Sequence, residues 1–66
     1  MSVAKVIEIT AESPESFEDA IRKGVAKAAK TVTHIRGAWV QEESVVIENN
    51  QVAAFRVNLK ITFVLD

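Results

Sequence analysis

The sequence predicts an α+β protomer of β-α-β-β order, with a three-stranded antiparallel sheet in the order 1-3-2 packed on one helix. Three observations carry this reading. Residues 54–66 alternate without a break: Phe55, Val57, Leu59, Ile61, Phe63 and Leu65 against Arg56, Asn58, Lys60, Thr62, Val64 and Asp66, the period of a strand with one buried face. Residues 3–10 show a shorter alternation, with Ile7 and Ile9 to one side and Val6, Glu8 and Thr10 to the other. Between the two, Phe17, Ile21, Val25, Ala28 and Val32 recur at helical spacing. A strand, a returning helix and a second strand leave the two strands parallel. A hairpin then sends the third strand back, and placing it in the middle makes every neighbour antiparallel.

Each junction has its own signal. Ser13-Pro14 reads as a helix start, because a serine hydroxyl accepts from a free first-turn N–H and proline at the first helical position forfeits no needed donor. Glu15, Glu18 and Asp19 then suit the positive end of the dipole. Gly24 weakens the helix by about 1 kcal/mol relative to alanine, which points to close packing against a neighbour. Gly37 is expected to end the segment, with His34 and Arg36 near its negative end. The second strand, 38–48, changes parity between Val40 and Val45, and a bulge near Glu43-Ser44 restores register. Asn49-Asn50 is the hairpin turn.

Size and composition bound the biology. Residues 1–66 read as a single domain, and at that length a chain buries only about 60% of the surface its unfolded form exposes. Disulfides and thiolate metal sites are ruled out by a cysteine count of zero, and one histidine does not build a zinc site. Association is the stabilising route left, and an apolar fraction of 48% agrees with it. A net charge of −1 provides no basic field for nucleic acid. No run approaches the roughly 20 apolar residues of a membrane span, and residues 1–10 lack a signal-peptide layout. The expectation is a soluble cytoplasmic protein.

Lys5-Val6-Ile7-Glu8-Ile9, then Ser13-Pro14-Glu15-Ser16-Phe17, an alanine- and lysine-rich helix closing in Thr31, and Val57-Asn58-Leu59-Lys60-Ile61-Thr62-Phe63 follow one another in an order and spacing that resemble the dodecins. The resemblance runs nearly end to end. It implies a homododecamer forming a hollow sphere, with flavin (FMN or riboflavin) stored at the subunit contacts and no enzymatic reaction. It also exposes departures. The position matching the dodecin tryptophan that stacks on the flavin ring is Gly37, and the one matching the glutamine on the ring's polar edge is Arg56. The two arginines that typically help hold the ligand's side chain match Ser44 and Val64.

Read from the residues, the sheet face away from the helix carries Trp39, Gln41, Arg56, Asn58, Lys60 and Val64, and function is expected there. Trp39, the only tryptophan, shares a strand face with Gly37 about 7 Å away. It is either a displaced platform for a flat ring or an aromatic anchor in a subunit interface. Arg56 offers a planar fork for phosphate, carboxylate or an aromatic face, or an ion pair with Glu42, Glu43 or Glu8. Gln41 is a candidate hydrogen-bonding group. Glu42 and Glu43 are adjacent and do not form a catalytic pair, although symmetry copies could gather such carboxylates around calcium or magnesium. The ingredients of nucleophilic, metal or acid–base catalysis do not assemble. The alternative to flavin storage is a hollow assembly acting as a scaffold or divalent-cation store.

Overall fold

The computed structural model describes residues 3–65, arranged as β1 (Val3–Ser13), α1 (Phe17–Ala28), β2 (Ile35–Glu48) and β3 (Gln51–Leu65). The strands form one sheet in the order β1-β3-β2, antiparallel throughout. The expected order 1-3-2 is therefore the observed one; Asp66, assigned above to the last strand, lies outside the described residues.

The core lies between α1 and the two strands it covers. Val57, Leu59 and Ile61 of β3 are fully buried, with Ile7, Ile9 and Ala11 of β1 beside them. Each of the three large β3 side chains contributes about 1.5–3 kcal/mol of transfer free energy. On the helix the buried residues are Ala20, Gly24 and Ala28, flanked by the half-buried Phe17, Ile21 and Val25. The stripe is thus centred on small residues rather than on the large ones its spacing suggested. Small side chains let the helix axis approach the sheet: a Cβ on Gly24 would stand 3.0 Å from Ala11 Cβ and 3.2 Å from Leu59 Cδ1. Phe17 closes one end of the core edge-on against Phe55, centroids 5.1 Å apart.

The helix boundaries differ from expectation at both ends. Ser16, not Ser13, is the N-cap, its hydroxyl accepting from Asp19 N–H at 2.9 Å. Ser13 closes β1, 1% exposed, where its hydroxyl accepts from Glu15 N–H and donates to the Asp19 carboxylate. Two serines flank Pro14-Glu15, and both hold the turn. At the other end α1 stops at Ala28, and the chain leaves through a turn in which Thr31 and Val32 N–H both donate to Ala28 C=O. Gly37 therefore sits inside β2, and His34 and Arg36 lie beyond the reach of the helix dipole. His34 adopts φ 61° and accepts from Val64 N–H, which places the reversal into β2 at that residue.

β2 carries more irregularity than one bulge. Register shifts fall between Ile35 and Gly37, between Val40 and Glu42, and between Val46 and Ile47. The parity change is made at Gln41, not Glu43-Ser44: Val40 faces Leu59, Glu42 faces Asn58, and Gln41 has no Cα partner. Downstream, Val45 comes opposite Phe55. Asn49 and Asn50, at φ 52° and 63°, make the tight turn, both in the left-handed region that primed hairpin turns need.

Candidate functional site

The face of the sheet turned away from α1 is built in cross-strand rows fixed by register. Glu8, Lys60 and Trp39 form one row; Thr10, Asn58 and Glu42 the next; Glu12, Arg56 and Ser44 the third. Toward the opposite end, Val6, Thr62 and Gly37 share a row, and Ala4 pairs with Val64. The face is charged at one end and apolar at the other, with Trp39 at the boundary.

Trp39 is 70% exposed, the most exposed large apolar side chain of the described residues. Such exposure runs against the free energy of burying an indole and marks a surface awaiting a partner. Next to it a shallow cavity of about 320 Å³ is lined by Gly37, Ala38, Trp39 and Thr62, near the lower bound for small-molecule sites. Its floor is bare because Gly37 has no side chain: a Cβ built there would meet only Thr62 Oγ1, at 3.5 Å. That hydroxyl donates to Gly37 C=O at 3.2 Å, which fixes its direction. An open backbone floor beside an exposed indole fits a flat ring. Trp39 and Gly37 do share one face, as period two requires.

Arg56 is engaged. Its Nε and Nη2 donate to Glu12 Oε1 at 3.2 and 2.9 Å, both side chains about half exposed. The partner is none of the acids considered from sequence. β1 runs three residues further than its first alternation suggested, and that extension places Glu12 across from Arg56. Continuing the alternation through Ala11 and Ser13 was the available signal. Gln41 is the bulge residue, and Glu42 occupies the cross-strand place opposite Asn58. Asn58 donates to Thr10 Oγ1 at 3.4 Å, while its own Oδ1 is buried without a partner among the described residues. A buried acceptor left unpaired is uncommon and costly.

No cluster of three or more His, Cys, Asp or Glu side chains occurs among the described residues, and no helix among them is long and apolar enough to cross a membrane. The Asp19 carboxyl is held below its ordinary value. It is lowered first by the Ser13 hydroxyl and then by Lys23, whose ammonium is 3.0 Å away. That group belongs to the β1–α1 turn, not to the outer face.

Comparison with known proteins agrees with this architecture. Residues 3–66 match the family model described as Dodecin. Over 63 residues the chain is 36% identical to "Calcium dodecin" of Mycobacterium tuberculosis, spanning 96% of this chain and 89% of that one. Dodecin from Streptomyces davaonensis superposes with a TM-score of 0.94 at 31% identity, over 98% of this chain and 96% of that one. The crystal structure of the calcium-chelating calcium dodecin of Mycobacterium tuberculosis, with what its authors call a novel calcium-binding site, gives 0.86 at 34% identity, over 98% and 93%. With the family model, the sequence identity and the superposed fold all in agreement over nearly its whole length, the chain belongs to the dodecin family.

Proposed function

We propose that this chain assembles with copies of itself, twelve by analogy with the family, into a hollow cytoplasmic particle that stores a flat aromatic ligand of the flavin type, FMN or riboflavin, and performs no reaction on it. The observation that carries this is the pairing of a 70% exposed Trp39 with the open floor at Gly37. The indole supplies the stacking surface, displaced by two residues from the family's usual platform. Gly37 supplies clearance and Gln41 is the next polar side chain along β2, while Arg56 lies two rows along β3 from Lys60, the residue opposite Trp39. Arg56 reaches a ligand only by leaving Glu12, so its contribution is smaller than that of an unpaired guanidinium.

Riboflavin or FMN added to the protein should lose fluorescence as its ring stacks on the indole. Trp39→Ala should weaken that binding by about 1–3 kcal/mol. Unchanged flavin emission at micromolar protein removes the reading.

A second reading, storage of a divalent cation such as calcium, is favoured by two observations. One is the 36% identity to a protein called calcium dodecin. The other is the unpaired Asn58 Oδ1 in register with the Glu42 carboxylate, two oxygen ligands of the kind hard cations take. One protomer provides too few, so further copies must complete the shell. Melting temperature separates the two readings: calcium raises it under the second, flavin under the first.

A further inference from the structure

The helix side of the molecule carries a groove. It lies between α1 and the free edge of β1, encloses about 460 Å³, and its floor is formed by Ile7, Ile9, Ala11, Gly24 and Ala28. β1 is an edge strand, so the groove is bordered by backbone groups that no strand of this chain pairs. Edges of that kind are normally covered. Lys23 and Lys27 stand on its rim. Lys23 is held by Asp19 and Arg22 by Glu18, which leaves Lys27, and Lys30 just beyond the helix end, as cations with no salt-bridge partner among the described residues.

The complementary object is in the same chain. β2 and β3 run past the last β1 pair, Ser13 with Phe55, and continue as a two-stranded hairpin to the pair Glu48 with Gln51. The molecule is consequently 51 Å long and only 19 by 14 Å across. On this arm Val45, Ile47 and Val52 are 42%, 55% and 53% exposed. From residue 40 to residue 55 the chain holds three carboxylates, Glu42, Glu43 and Glu48, and no lysine or arginine. An apolar, acidic arm and an apolar, lysine-rimmed groove match in both character and sign. They do not meet within one protomer, because the arm belongs to β2 and β3 whereas the groove opens on the far edge of the sheet, at β1.

We propose that the hairpin arm of one protomer seats in the α1–β1 groove of the next, with Val45, Ile47 and Val52 over the groove floor and Glu48 toward Lys27 and Lys30. The contact is heterologous: arm and groove are different surfaces, so each protomer gives one and receives one, and repetition gives a ring where the rotation between neighbours closes. It covers the exposed β1 edge and the apolar arm together. Independent of any ligand, the proposal stands or falls apart from the reading given to Trp39.

Charge reversal tests it. Glu48→Lys alone, and Lys27→Glu with Lys30→Glu, should each raise the protein concentration at which the assembly dissociates at low salt by roughly tenfold, read by analytical ultracentrifugation. Combining all three in one chain should restore assembly. Singly reversed variants that assemble like the parent, or a combined variant no better than either, overturn the proposal. Should the reversed chains fail to fold by circular dichroism, a second measurement decides. The parent has no cysteine, so Thr31→Cys in the groove wall with Gln51→Cys at the arm tip should give covalent multimers on mild oxidation, and monomer alone overturns it.

Discussion

Through its hydroxyl Ser13 serves the strand end and the helix start at once. It ends a strand, accepts from Glu15 N–H and donates to Asp19, and is buried while doing so. Ser13→Ala leaves the Glu15 N–H without its acceptor, at a cost of about 1–2 kcal/mol, visible as a lower melting temperature at pH 7. The same bond carries a pH signature. Asp19 has its folded pKa lowered, first by Ser13 and then by Lys23. Its stabilising contribution is therefore complete above the ordinary carboxylate value near 4 and disappears as the pH falls through the lower folded value. Asp19→Asn should flatten the acid limb of a melting-temperature profile below about pH 4 while leaving the neutral region less affected. An acid limb of unchanged steepness would show that the Ser13–Asp19 contact does not hold the carboxylate in its charged form.

Among the elements, β3 was the most legible, because the central strand of the sheet has one face against a helix and the other against no part of its own chain, and period two records that directly. β2 was the least. Its three register shifts each add or skip a residue, so apolar parity reports only their sum, and one bulge at Glu43-Ser44 explained the pattern as well as one at Gln41 did. The helix was legible in existence but not in its contact line. Large residues at steps of three and four drew the stripe, whereas Ala20, Gly24 and Ala28 make the closest approach; small residues leave no trace on a hydropathy pattern, and the uncommon Gly24 was their only marker. The outer-face site was half legible. Trp39 and Gly37 follow from parity alone, but the Arg56–Glu12 pair needed the true end of β1. Close approach also sets the sign of a substitution. Gly24→Ala gains about 1 kcal/mol of helix propensity, yet its Cβ would meet the Ala11 Cβ at 3.0 Å, an atom fixed to backbone that cannot swing aside. Strain of about 1–3 kcal/mol from overpacking outweighs the gain. The variant should melt below the parent, and a higher melting temperature would mean that the helix can lift from the sheet without loss.

At the scale of the whole molecule, the balance between cover and exposure leads to one expectation. The helix shields only β1 and β3 on one side. Trp39 and Val6 on the outer face, Val40 on the helix side of β2, and the three arm residues remain open to water. A 66-residue chain without a disulfide has little core with which to offset that exposure. Association that buries these surfaces contributes to folding itself, because a partner that binds only the folded protomer stabilises it by mass action. The melting temperature should accordingly rise with protein concentration wherever dissociation and unfolding are coupled, and dilution should expose Trp39 and red-shift its emission before the helix is lost. Should emission and ellipticity instead change together at one concentration-independent temperature, the protomer would be stable by its own contacts, and the open faces would need a reason other than assembly.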